Sequence, residues 1–231
     1  MRKKYELTDE TREVDDRTLY RIQALRAFGN VKAGDKGGFI ETEANLSHEG
    51  NCWVLDNACV YDEARVTQNA CIADYASISG SARVSGNTWI SGDVVVGGYA
   101  HVGEDAYLTE KARITGNACI LGDAWICGNA WISFNAHVLG AASVSDNARI
   151  TDNARVSGNA CILGNALISG EACVSGTASV SNNACIFGNA RVSENAKVFG
   201  NALISGDAII NGNMQVSGDT VITGALTGKA A

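Results

Sequence analysis

Residues 147–170 read NARITDNARVSGNACILGNALISG, one six-residue phrase, Asn-Ala-x-(Ile/Val)-x-(Gly/Asp), written four times. Followed outward, the phrase continues in both directions without a break. Steps of six from Val54 to Ile222 land on Val, Ile or Leu at all 29 positions, and Leu108 is the only Leu among them. The residue two before each of these positions is Ala in 24 cases; the exceptions are Cys52, Thr88, Val94, Met214 and Thr220. Asn stands three before in 16 cases and Asp in 5 more, and Gly stands two after in 18.

Strand geometry turns this pattern into a fold. Side chains at i and i−2 share one face of a strand, and the residue between them points the other way. Each hexad therefore sends one small and one β-branched residue inward on a short strand. The Gly-Asn pair that follows turns a corner, because both residues tolerate positive φ. A strand this short cannot pair with its neighbour in sequence across so short a turn. The chain must coil, and each strand pairs with the one a full turn later. Three hexads make one triangular coil of 18 residues, and coils stack about 4.8 Å apart as parallel sheets. The sequence predicts an all-β, single-stranded parallel β-helix of about ten coils, on the order of 45 Å long at that spacing. A helix would need a 3.6-residue period and would not tolerate Gly in every second turn.

Composition agrees. The chain of 231 residues has no Pro, 26 Gly, few aromatics, and a mean hydropathy of zero, which suits a core of small and β-branched side chains. The net charge of −7 argues against non-specific nucleic-acid binding. The opening MRKKYELTDE is charged, and no apolar run reaches the length of a signal or membrane span, so a cytoplasmic protein is expected. None of the eight cysteines forms a C-x-x-C pair. Six of them (59, 71, 119, 161, 173, 185) take outward positions, and no two lie on adjacent coils of one face. Ladder disulfides are thereby excluded, in keeping with a reducing compartment.

Residues 1–36 differ from the rest, with nine Lys or Arg and no hexad. KKYEL (3–7) reads as a strand, Thr8 to Arg17 as a polar turn, and TLYRIQALRAF (18–28) as strand or short helix. A β-helix ends in unpaired backbone groups and an open apolar core, so this segment is expected to cap the first coil. The β-helix is expected over 37–228, opening with one irregular coil. Ile40, Ala44 and Leu46 keep the hexad phase there, before Glu49-Gly50 insert two residues.

The repeat resembles the hexapeptide-repeat β-helix of acyltransferases and sugar-phosphate transferases, and that resemblance implies a left-handed coil. The strings KYEL (4–7), VKAGDKGGFIE (31–41), NLS (45–47) and GNCWV (50–54), in this order ahead of hexads, are similar to the YdcK-like proteins. These are bacterial and phage-encoded β-helix proteins often labelled putative transferases. The resemblance carries no established catalytic residues to transfer. For the enzymes of the wider family it implies trimers with clefts between subunits and a histidine as base.

Function must lie on the outward positions, which form three ladders at steps of 18. The first begins Trp53, Cys71, Trp89, Tyr107, Trp125, an aromatic stripe that reads as an interface for a second copy or a protein partner, or as surface covered by the cap. The second, from Cys59 to Val221, is mixed. The third reads Arg65, Arg83, His101, Cys119, His137, Arg155, Cys173, Arg191, Ile209. His101 and His137 are the candidate bases, and with Cys119 between them the candidate soft-metal ligands. Neither His has an acidic neighbour on its ladder to fix its tautomer. The spacing from Val54 to Ile222 admits no inserted loop. Together these features favour a rigid, non-enzymatic scaffold that self-associates or binds a protein partner, without cofactor or membrane; the resemblance to the YdcK-like proteins implies a phage or prophage origin. An acyltransferase of the hexapeptide type with a His base is the alternative.

Overall fold

The computed structural model describes residues 3–224. From Trp53 to Ile222 the chain forms 29 strands of two residues each, one per hexad. Each strand pairs in parallel with the strand 18 residues away, as in Val95–Val96 with Arg113–Ile114. With three longer N-terminal strands joining the first, the strands stack into three sheets of 13, 10 and 9 strands, which are the three walls of a prism of about ten coils. Backbone N–H groups of one coil donate to carbonyls of the next: Val95 to Ala112 O at 3.0 Å, Gly97 to Ile114 O at 2.9 Å. The Ala and aliphatic positions fill the interior and are almost without exception fully buried. Thr88 sits at a small position with its hydroxyl donating to Ser85 O at 2.6 Å, so its polar group is satisfied locally.

The corners differ from expectation in one respect. The left-handed residue is the one before Asn, not Asn itself. At Gly122 (φ 83°) an added Cβ would come within 2.5 Å of Gly140 O on the next coil. Asp146 and Asp152 hold the same conformation (φ 59° each). Their carboxylates accept the N–H of Gly164 (2.8 Å) and Gly170 (3.0 Å), which offsets the strain. The Asn side chains have another task. They run up the edges as amide ladders, each Nδ2 donating to the Oδ1 18 residues on: Asn129 to Asn147, Asn147 to Asn165, Asn165 to Asn183 and Asn183 to Asn201, at 3.0–3.1 Å.

Three longer strands precede the coils: β1 (Tyr5–Val14), β2 (Arg17–Ala24) and β3 (Lys36–Ile40). β1 and β2 form an antiparallel hairpin whose turn is Asp15-Asp16, both at positive φ, as a two-residue hairpin turn requires. The polar run from Thr8 is thus strand through Val14, and the turn expected over Thr8 to Arg17 is confined to Asp15-Asp16. Its residues are mostly exposed, so hydrophobic alternation gave no signal there. β2 resolves the open segment 18–28 as strand through Ala24. β3 pairs antiparallel with β2 and parallel with Cys59–Val60, and so welds the hairpin to one wall. A Cβ on Gly37 would meet Val54 O at 2.5 Å, and one on Gly38 would meet Ala58 O at 2.6 Å, so KGGFI needs both glycines to lie against the first coil. Glu43–Asn45 form a short 3₁₀ turn, and Leu46 bridges Val66 as the start of the nine-stranded wall. The end of the repeat at 228 lies outside the described residues.

Candidate functional site

The third ladder stands in register as read from the sequence. Arg65 pairs with Arg83, Arg83 with His101, His101 with Cys119, Cys119 with His137, and His137 with Arg155. At about 4.8 Å per coil, His101 and His137 are two steps apart. Among the described residues no group of three His, Cys, Asp or Glu side chains converges on a point that could hold a metal ion. His101, Cys119 and His137 are therefore adjacent by register without forming a ligand set. Burial, with Glu104 nearby, pushes the Cys119 thiol up from its ordinary range, which keeps it protonated.

The two histidines differ in surroundings. His101 is exposed and lies at one end of a groove lined by Arg65, Thr67, Ser81, Arg83, Ser85 and Tyr99. One residue past its strand stands Gly103, in a column of Ser85, Gly103 and Leu121. A Cβ at 103 would lie 3.1 Å from Ser85 Oγ, 3.1 Å from Leu121 Cδ2 and 3.5 Å from His101 Nε2. Gly103 is itself buried, and these three groups close over it. His137 is half-buried, and the corresponding position beside it is Leu139. The structure thus separates the two by exposure: His101 faces the groove, and His137 is less open. Sequence reading placed both on one line and could not separate them.

The third histidine, His48, lay in the irregular coil and escaped notice. Its Nδ1 accepts the Lys4 N–H at 3.2 Å, its Nε2 faces Glu43 Oε2 at 3.5 Å, and its ring packs on Tyr5 at 4.4 Å. Both nitrogens are engaged, so its role is to hold the cap. Lys3 donates to Glu43 at 2.6 Å and, with His48, holds that carboxyl below its usual range.

The aromatic stripe divides. Trp53 is buried under the cap, edge-on to Phe28 at 5.3 Å and near Tyr5 at 6.1 Å. It is not part of an exposed interface. Trp89, Tyr107 and Trp125 remain exposed, Tyr107 and Trp125 in edge-to-face contact at 6.4 Å. Tyr107 follows His101 by one hexad, so the corner at Glu104-Asp105 has His101 on one side and the aromatic wall on the other.

No family model matches the chain. A curated protein of Escherichia coli (strain K12), described as the uncharacterized acetyltransferase YdcK, is 40% identical over 62 residues. The chain is a hexapeptide-repeat β-helix similar to the YdcK-like proteins. The match spans 23% of this chain and 19% of the relative, about a fifth of the relative's length. Among solved structures, the UDP-N-acetylglucosamine acyltransferase of Francisella novicida aligns with 64% of this chain and 56% of its own at 18% identity and a TM-score of 0.28. LpxA of Acinetobacter baumannii aligns with 78% of this chain and 71% of its own at 14% identity and a TM-score of 0.37. The likeness to YdcK corrects the expectation of a non-enzymatic scaffold, since that relative is described as an acetyltransferase. The expectation rested on the unbroken repeat, taken to leave no room for an active-site loop. Among the described residues no helix is long and apolar enough to cross a membrane.

Proposed function

We propose that this chain is an acyltransferase of the hexapeptide type, with His101 as its general base. The observation that carries the reading is that His101 stands exposed at the end of a groove bearing Arg65 and Arg83. The partial likeness to YdcK supports the reaction class. The acceptor brings a hydroxyl or amine to the His101 end of the groove. His101 takes its proton as the acceptor attacks the carbonyl of an acyl thioester, and the thiolate leaves. Positioned proton transfer of this kind contributes about 10²–10⁴-fold. Arg83, one coil from His101, and Arg65 beyond it suit an acceptor or donor that carries phosphate or carboxylate, because a guanidinium holds either in a fork of donors.

The unit is a homo-oligomer in this reading. A second copy packed on Trp89, Tyr107 and Trp125 would run along the corner at Glu104-Asp105 and turn the open surface beside His101 into a cleft. Water excluded there would strengthen the interactions at the base.

The test is acetyl transfer from acetyl-coenzyme A, with succinyl-coenzyme A beside it, to a panel of sugar-phosphate and amine acceptors. His101→Ala should lower kcat by about 10²-fold or more, with His137→Ala close to wild type. Transfer that survives His101→Ala, or none with any acceptor, would refute the assignment. Trp89→Ser with Trp125→Ser should lower the mass seen by light scattering; an unchanged mass would dismiss that face as the contact.

A further inference from the structure

The N-terminal cap holds a side-chain pair that the proposed transfer chemistry does not use. Lys4 and Cys52 are both fully buried. Lys4 Nζ lies 3.3 Å from Cys52 Sγ and 2.9 Å from Cys52 O, with Gly50 O at 3.5 Å. On its far side the sulfur faces Ser47 O (3.5 Å) and Glu49 O (3.6 Å), so its thiol proton has an acceptor while the amine approaches from the other direction. Among the described residues no carboxylate forms an ion pair with the amine. Phe28 covers it at 4.9 Å, and Arg26 adds like charge. Burial first, and Arg26 last, pull Lys4 below the ordinary lysine range.

We propose that Lys4 and Cys52 form an oxidative cross-linking site, in which a peroxide converts the pair to a sulfur–nitrogen bond. In the first step hydrogen peroxide oxidises the Cys52 thiol to a sulfenic acid and is itself reduced to water. In the second the Lys4 amine attacks the sulfur, the S–O bond breaks, and the hydroxyl leaves with an amine proton as a second water. The sum is one thiol, one amine and one peroxide going to one sulfenamide and two waters. Sulfenic acids condense with nitrogen nucleophiles in this way, and the product returns to thiol and amine with excess low-molecular-weight thiol. Access comes by local opening of the cap: Lys4 stands just before β1, where its carbonyl accepts the Leu25 N–H at 2.9 Å, and single segments open locally far more often than the whole fold. Once closed, the bond ties the first strand to the first coil, so the cap can no longer lift off the open end of the prism.

The consequence is a cap that oxidation locks. The intact chain, treated with a modest excess of hydrogen peroxide, should lose two hydrogens, about 2 Da. Peptide mapping should recover a species that joins the segments holding Lys4 and Cys52, with trypsin no longer cutting at Lys4. Dithiothreitol should restore both peptides. The treated protein should unfold several degrees higher than the untreated one, and the shift should vanish in Lys4→Arg, which keeps a cation but has no amine to condense, and in Cys52→Ala. A Cys52 that gains one, two or three oxygens with Lys4 still free would overturn the proposal. So would a linked pair that has gained an oxygen between the two atoms, or a Cys52 that stays reduced while Cys71 or Cys161 oxidise. Because the readout is mass and not transfer activity, these outcomes are independent of the role given to His101.

Discussion

Trp53 and Trp125 stand on the same ladder, four coils apart, yet the first is 2% exposed and the second 54%. Nothing in their hexads differs enough to cause this. The difference comes from outside the ladder, where residues 3–51 fold over the first coil. Cap and repeat thus stabilise the same kind of wall by opposite means. In the repeat every coil is covered by the next, and stability is a sum of neighbour terms that any coil can contribute. In the cap the contacts are single and specific: Tyr5 OH donating to Leu46 O at 2.7 Å, Phe28 on Trp53, and Glu10 bound by Arg21 (2.6 Å) and Lys36 (3.0 Å). A lost contact in the repeat can be shared among coils; in the cap it has no substitute.

That contrast breaks most sharply at Trp53. Trp53→Ala should cost about 3–5 kcal/mol, the usual range for truncating a large buried aromatic, whereas Trp125→Ala should change stability by about 0.5 kcal/mol or less, as exposed substitutions generally do. Urea unfolding of the two variants checks this, and equal costs would mean that the cap does not close over the first coil. A middle-sized effect is expected at the glycines. Gly38→Ala places a Cβ 2.6 Å from Ala58 O and 2.6 Å from Val54 Cγ1, against a backbone that cannot yield. Gly122→Ala meets Gly140 O at 2.5 Å and adds the strain of φ 83°. Each should cost about 1–3 kcal/mol by overpacking. The cap variant should lose cooperativity with the coils, and the repeat variant should lower the whole transition. Smaller again is Asn165→Ala, which removes two adjoining rungs from an exposed amide ladder at a cost of about 0.5–1.5 kcal/mol.

How much of this was legible follows from where the pattern was periodic. The positions of Val54 to Ile222 fixed coil length, wall count and core, because a period of six leaves no other way to bury 29 aliphatic residues in phase. The Asn ladder was not legible, although the Asn positions were, because positive φ is a property of one residue and stacking is a property of two coils. The role of KGGFI as a close approach was not legible, since the atoms that forbid a Cβ belong to Val54 and Ala58. The aromatic stripe divides between the two surfaces the sequence offered: Trp89, Tyr107 and Trp125 are exposed, and Trp53 lies under the cap, whose folded course alone decides. His101 and His137 looked alike on paper because their exposure depends on what the neighbouring coils place around each ring.

The smallest test of the comparison is a matter of slope. Cys71 pairs with Trp53 at the cap's edge, while Cys185 lies far along the repeat. Burial, and then the negative charge of Asp56, push the Cys71 thiol up to about 11. Burial alone raises Cys185. A thiol whose folded pKa is raised holds its proton in the native state after the unfolded chain has lost it, so the unfolded state binds fewer protons and stability falls with rising pH. The contribution of Cys71 is fully present below its unfolded value near 9 and is lost as pH climbs through about 11. Cys71→Ala should therefore flatten the decline of the urea midpoint between pH 9 and pH 11. Cys185→Ala should flatten it less, because no carboxylate adds to the burial there. Equal slopes in the two variants would show that the cap's edge gives Cys71 no more shelter than an ordinary coil.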